Sequence, residues 1–149
     1  MHILWPSIGA IVVFTLLALW LKRRSDKRLL EQHSITPEAL NALLRENHPI
    51  VLLDVRRPLD LLSDAEIIPG ARWISPNDVL KNPDFVSKDA EAVIYFTGAG
   101  EDTARRVVRQ ALRLGFSRVK VLRGGLPAWK ASGYPVVKYE KSFRLDLRD

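Results

Sequence analysis

From Ile3 to Leu21 the chain runs 19 residues without a charge, and Ser7 and Thr15 are the only hydroxyls in that stretch. At about 1.5 Å per residue, a helix of this length spans roughly 28 Å, close to the hydrocarbon thickness of a bilayer. Pro6 and Gly9 sit near its start, where a helix end tolerates them, and Trp5 and Trp20 fall near its two ends, at the depth that aromatic side chains favour. A cleaved signal peptide would carry a positive n-region, a shorter apolar core and a small-x-small cleavage site. Here no Lys or Arg precedes the run, and it ends in Leu19-Trp20-Leu21-Lys22. A buried core helix is the other account, but such helices are rarely this long and uncharged all round. The expectation is a transmembrane anchor over residues 1–24, with Ile3 to Leu21 in contact with lipid.

A basic collar follows the run. Lys22, Arg23, Arg24, Lys27 and Arg28 hold five of the chain's 23 bases, and Asp26 is one of its 17 acids, a local net charge of +4. The remaining 18 bases and 16 acids leave only +2 of the total +6 for the rest. The high net charge is therefore a property of the collar, and a nucleic-acid partner is not expected. Because the nearby bases all lie C-terminal to the apolar run, the positive-inside tendency places the N-terminus outside and the following domain in the cytoplasm. That gives a single-pass protein of the cell membrane, most readily a bacterial inner membrane, with the collar attracted to anionic headgroups.

Residues 25–33 are polar and are expected to form a linker; residues 34–138 form the domain, and 139–149 a charged tail without assignment. Thr36-Pro37-Glu38 is a helix start, with an N-cap, a proline suited to the first turn and an acid at the positive end of the dipole. Ala39, Leu40, Leu43 and Leu44 form its apolar stripe, and Asn47-His48-Pro49 ends it. Ile50 to Val55 is a short unbroken apolar run, the pattern of a strand buried on both faces. Further strands are expected around residues 71–74, 92–96 and 119–122. A short helix opens at Ser75-Pro76-Asn77-Asp78 with a capping box. An amphipathic helix carries Ala104, Val107, Val108, Ala111 and Leu112 and stops at Gly115. A last short helix lies around Pro127-Ala128-Trp129. Strands alternating with helices at this rhythm predict an α/β domain with a mostly parallel sheet.

In this order the segments resemble the rhodanese-like domain. Leu53-Asp54-Val55-Arg56, with Pro58 and Asp60, is similar to that family's opening motif, and Ile68-Pro69-Gly70-Ala71 to its second. Val93-Ile94-Tyr95 stands where the strand leading to the active-site loop belongs. Leu114-Gly115-Phe116 with Val119, then Gly124-Gly125-Leu126-Pro127-Ala128-Trp129, resembles the closing section. The resemblance covers roughly residues 34–137 and implies a three-layer fold with a mostly parallel central sheet, preceded here by one transmembrane helix. Its structural positions are Asp54, Arg56, Pro69, Gly70, Gly124, Gly125 and Trp129. It also implies a sulfurtransferase, in which a cysteine after the third strand forms a persulfide while loop N–H groups and a helix N-terminus hold the anionic sulfur.

The chemistry is where this chain departs. The residue in the cysteine position is Phe96, and a phenyl ring can neither ionise nor carry a persulfide. No shift of alignment supplies the thiol, because the chain contains no cysteine. Glu101 and Asp102 occupy the helix start that should meet an anion, near a position where the family often has arginine. They cap the helix and compensate its dipole, and they would repel thiosulfate or phosphate. Ile67 stands where a histidine is common. Gly98 and Gly100 loosely suggest a phosphate cradle, but no Lys-Ser/Thr follows. His2, His33 and His48 are too scattered in sequence to share a metal, so neither metal nor cofactor is expected. Arg105, Arg106, Arg109 and Arg113 line one side of the amphipathic helix, as a solvated face or as a contact for anionic lipid or an acidic partner. Asp54 and Arg56 are expected to pair.

The expected function is a membrane-tethered, catalytically silent rhodanese-like module. It binds a protein partner at the vestigial loop Phe96, Thr97, Gly98, Ala99, Gly100, Glu101 and Asp102, with Phe96 as an apolar anchor. Two alternatives stand beside it: a sulfurtransferase role in which the partner supplies the cysteine, and a small-ligand sensor using the old pocket.

Overall fold

Three short runs of β-branched and aromatic residues build the centre of the molecule. The computed structural model describes residues 5–75, 77–78, 86–97 and 101–140, with side chains described from Ile8 in the first helix and from Ala104 in the helix that opens at Glu101. Strands β2 (Val51–Asp54), β5 (Ala92–Tyr95) and β6 (Val119–Leu122) lie side by side and parallel, with Leu53 opposite Ile94 and Ile94 opposite Val121. Two-residue strands flank them: β1 (Ser34–Ile35) pairs with β6, and β4 (Arg72–Trp73) with β2, in the order β1-β6-β5-β2-β4. A separate antiparallel pair joins β3 (Glu66–Ile67) to β7 (Val137–Lys138).

Parallel neighbours need crossover helices, and these bury both faces of the sheet. Successive strand residues point to opposite sides. Leu52, Val93, Tyr95 and Leu122 face one layer, where Leu40 of α2 (Pro37–Arg45) and Leu126 and Trp129 of α5 (Gly125–Ala131) cover them. Leu53, Ile94, Phe96, Val119 and Val121 face the other, under Ala104 and Val108 of α4 (Glu101–Arg113). A short helix, α3 (Pro58–Ser63), follows β2. The three-layer α/β fold with a mostly parallel sheet is therefore present.

Local chemistry sets several boundaries as expected. Thr36 Oγ1 accepts from the Ala39 N–H at 3.2 Å, and Pro37 opens α2. Gly115, at φ 89°, closes α4: its N–H reaches the Leu112 carbonyl and the Phe116 N–H reaches that of Ala111, the paired bonds of a Schellman end. Pro69 and Gly70 turn the chain, with the Ala71 N–H returning to the Ile68 carbonyl at 3.0 Å and Gly70 at φ 82°. After Ser75, residues 77 and 78 are helical, and the Asn77 N–H donates to Ser75 Oγ at 3.3 Å. The rest of that expected helix lies outside the described residues, as does the tail from residue 141.

The N-terminal region differs from the expectation at its inner end. Helix α1 (Trp5–Gln32) continues through the collar and through residues expected to be a linker. Its last two turns have a packed side: Leu29 and Leu30 lie against the layer under α4, and Asp26 pairs with Arg109 and, at 3.9 Å, with Arg105. That burial is what keeps the polar stretch helical. Outside this contact, every large apolar side chain of α1 from Ile8 to Leu21 is exposed. Among the described residues no helix is long and apolar enough to cross a membrane. The expected span begins at Ile3, and residues 1–4 lie outside the described ones.

Candidate functional site

Strand β5 ends at Tyr95, and the next residue decides the chemistry of the loop. Phe96 does not project into solvent. It is 8% exposed, packed with Leu53, Val55 and Val86 against α4. Its carbonyl accepts from the Leu126 N–H at 3.0 Å, which ties the strand end to the start of α5. The expected apolar anchor is therefore part of the core, because the sheet period turns residue 96 toward the α4 layer. Thr97 beside it is exposed. Gly98, Ala99 and Gly100 lie outside the described residues. Glu101 and Asp102 open α4, as expected, with side chains outside the described ones.

A cleft of about 590 Å³ borders Phe96. Ala104 and Arg105 form one wall and Gly124 and Gly125 another, with Val121 and Leu122 between them. The remaining wall comes from α1 and its exit: Asp26, Lys27, Leu30, Glu31 and Ser34. Arg123 lines the cleft too and donates from Nε to Ser34 Oγ at 2.8 Å. The α1 wall was not foreseen. Its signal was present in the spacing of Asp26 and Leu30, one helical turn apart within a segment ending in good helix formers.

Gly124 is at φ 69°, and a Cβ there would stand 2.6 Å from the Ala128 Cβ, so this turn requires glycine on two counts. Gly125 follows, buried, at φ 61°. Trp129 is buried beneath them, with Nε1 donating to the Pro135 carbonyl at 2.8 Å and its ring 4.9 Å from that of Tyr134.

The opening motif is a structural network, as expected. Arg56 and Asp54 are buried and paired, with Arg56 Nη2 donating to Asp54 Oδ2 at 2.7 Å. Arg56 also donates to the carbonyls of Asp64 and Glu66, and its own carbonyl accepts from Trp73 Nε1. Tyr95 joins from the next strand: its hydroxyl accepts from the Ile68 N–H, while burial and the Asp54 carboxylate push its ionisation well above the ordinary phenol range. The network pins the end of β2, α3 and the second motif together.

The arginines of α4 divide. Arg105 and Arg109 serve the contact with Asp26, contrary to a fully solvated face, whereas Arg106 and Arg113 are exposed. His33 lies with Nδ1 3.1 Å from the Val119 carbonyl, and His48 pairs with Glu91 at 3.2 Å. Among the described residues no three His, Asp or Glu side chains come together as a metal site. His2 lies outside them.

Comparison with known proteins places this geometry. A family model, the rhodanese-like domain, matches residues 36–132. A protein named sulfurtransferase from Allochromatium vinosum is 27% identical over 108 residues, covering 72% of this chain and 97% of its own length. The solution structure of a rhodanese-like domain from Anabaena is 25% identical with a TM-score of 0.61, covering 78% of this chain and 88% of its own. The crystal structure of a rhodanese-related protein from Thermoplasma volcanium is 23% identical with a TM-score of 0.59, covering 70% and 97%.

Proposed function

The chain belongs to the rhodanese-like domain family, and we propose that it works by binding rather than by sulfur transfer, as a membrane-tethered module that holds a protein partner at the cleft beside Phe96. One observation carries this reading: the position after β5 holds a buried phenyl ring in a chain without a single thiol. With no nucleophile, the covalent half of the family's chemistry has no atom to begin on. The cleft, the exposed Thr97 and the α1 wall remain as a shaped surface at the end of the sheet.

The tether is supported by the uncharged run from Ile3 to Leu21 and by the exposure of its apolar side chains from Ile8 onward, a surface that water solvates poorly. The collar orients it, with the N-terminus outside and the domain in the cytoplasm. Arg24 lies over the Trp20 ring at 5.2 Å, an arrangement suited to a membrane–water boundary.

A second reading is favoured by the relative named sulfurtransferase: the partner supplies the cysteine and this chain positions it at the membrane. A photo-crosslinking residue at Thr97, with a second chain carrying it at Lys138, separates these in native membranes. The binding reading expects one discrete adduct at Thr97 and not at Lys138, unchanged by reductant. An adduct whose cysteine bears a persulfide removed by reductant selects the second reading. No adduct, or the same adducts at both positions, sinks both.

A further inference from the structure

Helices α1 and α4 run antiparallel. Leu30 lines the cleft with Ala104 and Arg105, and Asp26, one turn earlier, lines it too, pairing with Arg105 at 3.9 Å and more closely with Arg109, one turn later. Continuing the pairing by one more turn brings the collar at Lys22 and Arg23 level with Arg113, the last residue of α4. Because α4 is the crossover between two parallel strands, it runs against them. The collar therefore stands at the edge of the domain where the strands begin, and Phe96 and Gly124 stand at the edge where they end.

The two edges differ in charge. At the collar edge Lys88, Arg113 and Arg118 are exposed. Lys88 lies beside the Gly115 turn, within 3.4 Å of where a Cβ would be. Among the described residues the acids there are Asp89 and Glu46, both exposed, with Glu46 following exposed Arg45 at the end of α2, and Glu91, which is shared among Arg118, Lys120 and His48. At the far edge Asp60, Asp64 and Glu66 stand with Arg57 and Lys130 bound to them and with Arg123 and Lys138 exposed beside them. Acids and bases are therefore mixed there, without the run of bases that the collar adds at the other edge.

Asp26, where the domain begins to grip α1, is five residues beyond Leu21, about 7.5 Å along the helix. A headgroup layer is about 5–7 Å deep on each side of the hydrocarbon. Resting on the tether reading above, we propose that the Lys88–Arg113–Arg118 edge lies against anionic lipid headgroups, which turns the Phe96 edge away from the bilayer and toward soluble partners. The grip of Asp26, Leu29 and Leu30 on α4 leaves no slack in which the domain could turn over. Each base near the surface adds to the attraction, and salt weakens it.

The absence of cysteine makes the test direct, since one introduced thiol reports one position. The full chain, as Ser117→Cys or Leu59→Cys with a fluorophore attached, is reconstituted into phosphatidylcholine vesicles with or without phosphatidylglycerol, each containing a headgroup-quencher lipid. Ser117 is exposed at the collar edge and Leu59 is exposed on α3 at the far edge. With phosphatidylglycerol, quenching at position 117 is expected to exceed that at position 59 at least threefold. The excess is expected to shrink at least twofold in phosphatidylcholine alone, at high salt, or on adding Lys88→Glu and Arg113→Glu. Vesicle-bound chain with equal quenching at both positions, or with no dependence on lipid charge, overturns this inference and leaves the tether standing. Chain that fails to float even with neutral vesicles overturns the tether and the inference with it.

Discussion

Phe96 sets a packing side chain at the position where the family resemblance implies a thiol. The phenyl ring at the position after β5 fills the layer between β5 and α4, with 8% of its surface exposed. Removing it leaves a void that close-packed neighbours fill only in part, so Phe96→Ala is expected to cost about 3–5 kcal/mol and Phe96→Leu about 1 kcal/mol in denaturant unfolding. Equal, near-zero costs would show a ring that contributes nothing to packing. The loss of the nucleophile was legible in the sequence because the neighbouring motifs fix the register. The direction of the ring was not: an aromatic residue at a strand end can continue the core or leave it, and the packing of α4 decides which.

At the scale of elements, the molecule rests on helix–sheet packing that patterning revealed and on side-chain hubs that it did not. The unbroken runs at Val51–Asp54, Ala92–Tyr95 and Val119–Leu122 and the stripe on α4 were plain in periodicity. Strands β1, β3, β4 and β7, two residues each, carry too little pattern, and of these only β4 was expected, from the turn before it. The polar composition of residues 25–33 predicts a linker, because it hides Asp26, Leu29 and Leu30 on one packed side of α1. The Asp26 carboxylate is 15% exposed and serves two guanidinium groups, so Asp26→Ala is expected to speed amide exchange of residues 24–33 at least tenfold while exchange in β5 stays unchanged. Unaltered exchange would mean that Leu29 and Leu30 hold the helix alone. Glu91 is the second hub. Burial raises its pKa, but hydrogen bonds from Lys120 and His48 and the Arg118 charge outweigh burial and hold it below the ordinary glutamate value. A carboxylate with a lowered folded-state pKa stabilises the fold fully above its unfolded value, and that stabilisation is lost as pH falls through the folded one. Between about pH 7 and pH 3 the wild-type melting temperature is expected to fall further than that of Glu91→Gln, and parallel curves would contradict this.

The whole molecule is a rhodanese-like fold over residues 36–132, in a chain without a thiol. The fold was legible because its motifs are backbone and packing requirements: the buried Asp54–Arg56 pair, the positive-φ Gly70, and a Gly124 with no room for a Cβ. Only half of the cleft was legible, since the α1 wall arises from a contact between segments about 80 residues apart that no local pattern announces. The same contact puts the collar near the edge where the strands begin, with the cleft beside Phe96 at the edge where they end. The central claim, binding without catalysis, is tested most directly by thiosulfate:cyanide sulfur transfer with the purified full chain, beside Phe96→Leu and a chain-free blank. Thiocyanate release at the level of the blank for both proteins is the result expected. Saturable release that scales with the amount of wild-type chain and persists through a second purification would contradict the account.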